Sequence, residues 1–336
     1  MRVLVSGGAG YVGSHTTVKL IENGYDTVIA DNFSNSSEKV IARLNKLCKM
    51  EIPTEKLDFC DLNETRKLFE KYSFDAVIHF AALKSPSESV QIPLEYYENN
   101  LVSTLNILRV MRDKGIKNFV FSSSATVYGD PDKVPIDEDS TLNAVNPYGR
   151  TKLMIEDMLK DISVADEDMN IAILRYFNPV GAHPSGEIGE KPSGIPKNLF
   201  PYISQVAAGI LKELPITGDD YPTKDGTGIR DYVHVEDIAE GHIAALKRFD
   251  IKKGLYICNL GTGNGYSVKE VVAAYEAECK KKIPVKIMPR RPGDVAECYA
   301  DVSLAKKELG WSSKLTLTDM CRDSWNWQKN NLNGYE

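Results

Sequence analysis

Long apolar runs are missing from this 336-residue chain. None approaches the roughly 18 residues that a membrane-spanning helix needs. Long blocks of one charge are missing too. The net charge is −6 with both signs interspersed, which argues against a surface for nucleic acid or an anionic membrane. Cysteine is scarce and scattered: the six thiols, Cys48, Cys60, Cys258, Cys279, Cys298 and Cys321, lack C-x-x-C spacing. Zinc or other metal sites and disulfides are therefore not expected, and free thiols of a reducing compartment are. No internal repeat, no low-complexity tract and no leader pattern is visible, so a cytoplasmic location is expected. What remains is an ordinary globular composition, with length enough for one large or two modest domains.

The stretch that organises the rest is MRVLVSGGAGYVGSHTTVKLIENGYDTVIAD. Val3–Ser6 is an apolar, β-branched run, as a strand buried on both faces requires. It breaks into Gly7-Gly8-Ala9-Gly10-Tyr11-Val12-Gly13. A helical segment, His15–Glu22, stops at Asn23-Gly24. A second apolar run, Thr27–Ala30, ends on Asp31. Strand, glycine turn, helix and strand in this order form a dinucleotide fingerprint. Gly7 turns the chain off the strand, Gly10 lets backbone approach a pyrophosphate, and Gly13 lets the helix pack closely. The helix N-terminus offers N–H groups and positive charge to the phosphates. Asp31 is placed to accept hydrogen bonds from an adenosine ribose. Its charge would repel a 2′-phosphate, so NAD is expected rather than NADP. The G-x-x-G-x-x-G spacing is typical of the extended branch of the short-chain dehydrogenase/reductase superfamily.

Further strand-like runs at Ala76–Phe80, Asn118–Ser122 and Ile171–Tyr176 alternate with helical patterns at Glu64–Lys71, Leu94–Lys114 and Pro147–Lys160. Leu57–Cys60 is a further candidate strand. Such alternation predicts an α/β fold, a Rossmann-type doubly wound parallel sheet with helices on both faces. Ligands bind beyond the carboxyl ends of its strands. Residues 178–230 are rich in Gly, Pro, Asn and Asp, with one helical pattern at Leu199–Leu211. A division follows, with an NAD-binding domain over 1–177 and a smaller C-terminal α/β substrate-binding domain over 178–336. Within the second part, a strand-like run Arg230–Val235, a helix near Glu236–Arg248 and a strand Leu255–Asn259 return to the first. The segment after Ser267 is expected to hold two or three helices and a strand, Val285–Met288. Asp61 can meet an adenine amino group or cap the helix that follows, since Asp61-x-x-Glu64 has capping-box character.

Tyr148 and Lys152 form Y-x-x-x-K after Asn146-Pro147, a plausible helix start, and share one helical face. A phenol of pKa ~10 is a poor base at neutral pH. A nearby ammonium, together with the positive nicotinamide ring, is expected to lower it. Any helix can carry Tyr and Lys four apart; it is the upstream fingerprint that favours the catalytic reading. Ser122-Ser123-Ser124 ends a strand at the ligand-binding rim, where Ser124 can bond a substrate hydroxyl and pass its proton to Tyr148. The alternative is a serine-rich turn that caps its own backbone.

Five segments now stand in order: the glycine turn; Ser122-Ser123-Ser124-Ala125-Thr126-Val127-Tyr128-Gly129; Pro147-Tyr148-Gly149-x-x-Lys152; Leu174-Arg175-Tyr176-Phe177-Asn178-Pro179-Val180-Gly181-Ala182-His183; and Gly228-Ile229-Arg230-Asp231-Tyr232-Val233-His234-Val235. In these, and in Trp325-Asn326-Trp327-Gln328, the chain closely resembles the UDP-glucose 4-epimerase family, from Met1 nearly to its end. The resemblance implies an NAD-dependent isomerase of galactose metabolism. It would interconvert UDP-glucose and UDP-galactose through a transient 4-keto sugar and NADH. It assigns NAD contacts to Tyr11, Val12, Asp31, Asn32, Phe33, Ser34, Asn35, Ser36, Asp61, Leu62, Phe80, Ala81, Ala82, Leu83, Lys84, Asn99 and Phe177. Ser124, Tyr148 and Lys152 would be catalytic and would also touch NAD. Lys84, Asn178, Asn198, Pro215, Ile216, Thr217, Arg230, Arg291 and Asp294 would meet the UDP-sugar. Guanidinium groups at 230 and 291 suit a diphosphate, although the Arg290-Arg291 pair could equally be solvated surface charge.

Related sugar-nucleotide 4,6-dehydratases carry an Asp-Glu pair just after the serine/threonine run; here Ala125 and Thr126 stand instead. Enzymes of UDP-uronic acids are placed lower, on the Asn178-Pro179 and Asn198 contexts. A non-catalytic NAD-sensing regulator would normally have lost Y-x-x-x-K. In the family, the position of Cys298 lines the sugar pocket and is either bulky aromatic or small. A small residue leaves room for a 2-acetamido group, so UDP-GlcNAc and UDP-GalNAc are expected as additional substrates; alternatively, Cys298 merely fills core volume. Family members usually pair as homodimers through a four-helix bundle, for which Leu94–Lys114 and Pro147–Lys160 are the candidate helices.

Overall fold

The computed structural model describes residues 1–291 and 293–336. Its centre is a seven-stranded, all-parallel sheet. The strands are β1 (Arg2–Ser6), β2 (Asp26–Asp31), β3 (Thr54–Lys56), β4 (Ala76–His79), β5 (Asn118–Ser124), β6 (Asn170–Tyr176) and, after four short strands described below, β11 (Leu255–Leu260). Their order across the sheet is β11-β6-β5-β4-β1-β2-β3. The chain runs one way from β1 and the other way from β4, so the reversal falls between these two strands. Ligand crevices of doubly wound sheets open there.

Both faces are covered, which is why these strands read as apolar throughout. Val3, Val5, Ile78, Val120 and Leu174 point to one face, against Leu20 of α1 (Tyr11–Glu22) and Ile243 and Leu246 of α8 (Val235–Phe249). Leu4, Val77, Phe119, Phe121 and Ile173 point to the other. They meet Leu68 of α3 (Leu62–Lys71), Ile107 of α5 (Pro93–Lys114) and Ile155 of α6 (Pro147–Ala165). Two shorter helices, α2 (Lys39–Cys48) and α4 (Pro86–Ser89), sit in the connections. Helix boundaries follow local chemistry. Asn146 caps α6 by accepting from the Gly149 N–H at 2.9 Å, with Pro147 at the first turn. Gly115, at φ 72°, ends α5.

Beyond β6 the chain builds β7 (Asn178–Val180), α7 (Leu199–Ala207), β8 (Leu214–Thr217), β9 (Ile229–Arg230) and β10 (Tyr232–His234) before α8 and β11. It then forms β12 (Tyr266–Ser267), α9 (Val268–Cys279), β13 (Val285–Met288), β14 (Glu297–Cys298), α10 (Ser303–Leu309) and α11 (Leu317–Asn330). A separate apolar cluster under α7, α9 and α11 includes Phe200, Ile203, Tyr275 and Met320. β11 lies beside β6, with Leu255 opposite Ile171 and Leu260 opposite Tyr176, while α8 packs on α1.

Two local expectations are corrected. The third strand is Thr54–Lys56, not Leu57–Cys60; Leu57 and Phe59 are buried, but they reach the core from a turn. Arg230–Val235 is not one strand. It breaks at Asp231, whose buried carboxylate accepts from the N–H groups of Thr262 (2.8 Å), Gly263 (3.1 Å) and Ala300 (3.2 Å). On one side of this anchor β9 joins β12 and β14; on the other, β10 pairs with β7. Among the described residues no helix is long and apolar enough to cross a membrane.

Candidate active site

The glycine turn sits on the reversal point of the sheet. Gly7 has φ +73°, and a Cβ there would lie 2.7 Å from the Ala81 nitrogen, so the turn is pressed against the segment that leaves β4. At Gly13 a Cβ would run into the Gly7 carbonyl oxygen and come within 2.9 Å of Gly8 Cα. At Gly10, the first cap of α1, the only near neighbour of a Cβ is the Gly7 oxygen at 3.1 Å. A side chain there would occupy the space in front of the helix N-terminus, where the first turn of α1 presents its N–H groups. This cradle fits a dinucleotide pyrophosphate.

Asp31, at the end of β2, is buried and holds the cradle together. One carboxylate oxygen accepts from the Ala9 N–H at 3.0 Å; the other accepts from the Phe33 N–H at 2.8 Å and the Ser36 hydroxyl at 2.9 Å. Burial raises its pKa while these bonds oppose the rise. A carboxylate has about four lone-pair sites, so capacity for a ribose hydroxyl remains. Asn32 accepts from the Ser34 N–H, and Ser34 and Asn35 are exposed. Asp61 caps α3, accepting from the N–H groups of Asn63 (2.7 Å) and Glu64 (3.0 Å), with Leu62 as the first helical residue. The capping box is only half formed, because the Glu64 carboxylate accepts from the Asp58 N–H instead.

Phe80, Ala81, Ala82, Leu83 and Lys84 leave the end of β4. Asn100 pins them: its side chain accepts from the Leu83 N–H at 2.8 Å and donates to the Leu83 carbonyl at 3.1 Å and to the Thr151 hydroxyl at 3.0 Å. The neighbouring Asn99 donates to Asn100. Tyr11 reaches across to the Gly181 carbonyl at 2.7 Å, and Val12 is half-buried on the sheet side of α1. Phe177, directly after β6, is buried with Ala125, Val127 and Tyr128.

Ser124 ends β5, opposite Tyr176 of β6. Its hydroxyl caps the short turn Ala125–Val127, accepting from the Thr126 N–H at 3.2 Å. Tyr148 begins α6 and is buried; burial pushes its pKa up to about 12, with the Ser124 hydroxyl as the opposing influence. Lys152 follows one turn later. It donates to the Ser122 carbonyl at 2.7 Å, lies 5.9 Å from the centre of the Tyr148 ring, and is pushed down to about 7 by burial. In the protein alone, burial therefore holds the Tyr148 phenol above its ordinary value. The Lys152 ammonium is directed at a β5 carbonyl rather than at the phenol.

The expected substrate residues are distributed over several short strands and loops. Asn178 begins β7, and its N–H bonds the Asp231 carbonyl at 3.0 Å. Arg230 in β9 stands beside Cys298 in β14. Cys298 is half-buried and packs on the cluster of Ala125 and Phe177, with burial pushing its thiol up to about 11. Tyr232 in β10 is buried, which pushes its phenol up to about 12, with the Arg230 charge in opposition. Pro215, Ile216 and Thr217 lie in β8, which pairs with β13. The two neighbouring arginines separate. Arg290 pairs with Asp220 at 2.7 Å and covers the Tyr221 ring, whereas Arg291 is exposed. Lys84 and Asn198, at the N-terminus of α7, both contact the same oxygen of Glu190, each at 3.4 Å. Glu190 and Asn100 were missed by sequence reasoning. Asn100 next to Asn99 in an amphipathic helix was a visible signal; Glu190, in a Gly/Pro-rich loop, gave none.

A family model described as GDP-mannose 4,6 dehydratase matches residues 4–324. The chain is 52% identical over 336 residues to UDP-glucose 4-epimerase of Bacillus subtilis, covering 100% of this chain and 99% of that one. It is 52% identical to UDP-glucose 4-epimerase of Homo sapiens, covering 99% and 98%. Among solved structures, it superposes on UDP-glucose 4-epimerase from Bifidobacterium longum in complex with NAD+ and UDP. The TM-score there is 0.95 and the identity 50%, with 99% of this chain and 100% of that chain covered. The enzyme from Stenotrophomonas maltophila, with bound NAD and formylated UDP-arabinopyranose, gives 0.96 and 48%, covering 98% of each chain.

Proposed function

Because the chain belongs to the UDP-glucose 4-epimerase family, we propose that it interconverts UDP-glucose and UDP-galactose by inverting C4 of the sugar through a transient 4-keto form, with NAD as its cofactor. The observation that carries this reading is the buried Tyr148, with Ser124 facing it and Lys152 one turn along the helix, at the same sheet edge as the glycine cradle. The model description names a dehydratase, but the positions after Ser124 are Ala125 and Thr126, without the acids that an elimination would use.

NAD+ bound in this cradle supplies the hydride acceptor and, through its positive charge, favours the Tyr148 phenolate. Gly7, Gly10, Gly13 and the first turn of α1 would receive its pyrophosphate, and Asp31 a ribose hydroxyl. Tyr148, directly or through Ser124, takes the proton of the sugar 4-hydroxyl and later returns it. Lys152 stands one turn from the phenol and would hold the nicotinamide ribose. Arg230 and Arg291 grip the diphosphate, with Asn178, Asn198 and Asp294 around it. Firm contacts to UDP and loose ones to the sugar let the keto sugar turn and present its other face. On this reading residues 1–177 serve the dinucleotide and residues 178–336 the UDP-sugar, and α8 and β11 complete the first part. Incubation with UDP-galactose and no added reductant is expected to yield UDP-glucose. A 4-keto-6-deoxy product would make the protein a dehydratase, and absence of reaction would favour a binding role.

Two finer expectations belong here. The wild type interconverts UDP-GlcNAc and UDP-GalNAc as well, because Cys298 is small and adjoins Arg230. Cys298→Tyr is expected to lose at least tenfold on the acetamido pair while keeping UDP-galactose turnover, measured by coupled assay on both pairs. Loss on both pairs alike would assign Cys298 to packing alone. The protein also pairs as a homodimer: Leu94 and Leu105 of α5 and Met154 of α6 are exposed on two helices that pack together. Leu105→Glu with Met154→Glu is expected to halve the mass seen by sedimentation; an unchanged mass would place the contact elsewhere. The scattered free thiols fit the cytoplasm.

A further inference from the structure

We propose that Glu156 is a positioning residue for this epimerisation, one buried carboxylate on the helix of Tyr148 and Lys152 that joins it to β5, which bears Ser124, and to β6, and serves as the counter-charge of Lys152. The inference rests on the functional reading above. Tyr148, Lys152 and Glu156 recur at four-residue intervals on α6, so they lie along one helical face. Glu156 is fully buried. One of its oxygens accepts from the Ser123 hydroxyl at 2.5 Å and from Arg175 Nε at 3.0 Å. The other accepts from Arg175 Nε at 3.2 Å and from Nη2. Ser123 stands between Ser122, whose carbonyl receives Lys152, and Ser124, which faces Tyr148. Arg175 is the β6 partner of Ser123 and precedes Tyr176, whose hydroxyl meets Ser122. Arg175 is itself held by the Tyr128 hydroxyl at 3.0 Å and the Glu138 carbonyl at 3.2 Å. The ends of β5 and β6 and the middle of α6 are thus tied through one group.

The charges around Lys152 make the second half of the case. Its neighbours are the Ser122 carbonyl and the Phe121 ring from β5, His79 from β4, and Tyr148 and Glu156 from its own helix; Arg175 and Tyr176 of β6 reach this set through Glu156 and Ser122. His79 is neutral, pushed down to about 3, with its nitrogens taken by the hydroxyls of Ser6 and Thr104. Both phenols are pushed upward by burial, so in the protein alone they are neutral. Arg175 is a cation. Glu156 is the anion of this set, and it favours the Lys152 ammonium against the desolvation that removes it. The ammonium is present below the Lys152 pKa and is lost as pH rises through it, so removing the Glu156 charge moves that loss to lower pH.

The test is Glu156→Gln, an isosteric change, with Glu156→Gln/Arg175→Met as a second variant that leaves no unpaired buried guanidinium. For each, the Lys152 titration is followed by NMR of 13C-labelled lysine, assigned with Lys152→Met, and kcat and KM for UDP-galactose are measured across pH. The expected result is a Lys152 midpoint lower by about one pH unit in Glu156→Gln and lower by a smaller amount in the double variant, where the opposing Arg175 charge is removed as well. With it should come a kcat lower by about 10- to 100-fold, a KM within about twofold, and an alkaline limb moved the same way as the titration. An unmoved Lys152 titration, or a kcat loss equal at every pH, would overturn the proposal. A wild type that titrates as described but does not turn over UDP-galactose would instead overturn the functional reading.

Discussion

Tyr148→Phe is expected to lower turnover of UDP-galactose by about 10²- to 10⁴-fold, the usual range for a positioned general acid or base, while the protein keeps its nucleotide. The substitution removes one oxygen and leaves the ring in its buried place at the head of α6. Nothing in the glycine cradle touches that oxygen, so NAD released by denaturation and measured by absorbance should match the wild type. The phenol is up at about 12 in the protein alone, pushed there by burial with only Ser124 in opposition. Its proton therefore leaves only when further positive charge arrives, and the requirement for the hydroxyl should be strict. Residual turnover within about threefold of wild type would remove Tyr148 from the chemistry.

Gly13→Ala is expected to act at the opposite end of the site. A methyl group here meets the Gly7 carbonyl oxygen and the Gly8 Cα, both backbone atoms of the turn. Backbone of this kind cannot rotate aside as a side chain would; either α1 moves off the sheet or the turn opens. Overpacking of this sort costs about 1–3 kcal/mol. Since the distortion falls on the groups that would face the pyrophosphate, NAD affinity should drop by about 10- to 100-fold. Activity should recover in part when NAD is supplied in excess. Gly24→Ala, at the far end of α1, is the control: a Cβ there meets nothing within 4 Å, although its φ of +80° leaves some strain. Equal NAD affinity in Gly13→Ala and wild type would mean that the cradle is not where the dinucleotide sits.

The parts of this architecture that could be read from residues alone are those where one physical requirement dominates. β1 and β4 had to be apolar on both faces, and a turn that tolerates no side chain had to be glycine. The places that resisted reading are those where long-range partners decide. β3 is a three-residue edge strand without alternation, so apolar Leu57 and Phe59 drew the expectation past its true position. Residues 230–235 look like one strand, but the buried Asp231 collects N–H groups from Gly263 and Ala300, both remote in sequence, and divides it. α2 follows a Ser/Asn-rich segment that masks its start, and only Val40 and Leu44 are buried on it. In the site, Y-x-x-x-K was visible but the direction of the lysine was not. The Ser122 carbonyl that receives it is supplied by the fold of β5, and no spacing in α6 announces it.

The placement of β11 beside β6 has a consequence for how the molecule is made. β6 is buried along its whole length, yet the strand that covers its outer side is translated only after residue 254. A nascent chain that has emerged through Tyr176 therefore carries an open ladder of peptide groups next to a finished apolar face, the sort of margin that recruits other chains. Completion of the central sheet must wait for a strand made about eighty residues later. Fragments ending near residue 177 should be sticky, slow to settle and dependent on chaperones, whereas the full-length polypeptide closes its own seam.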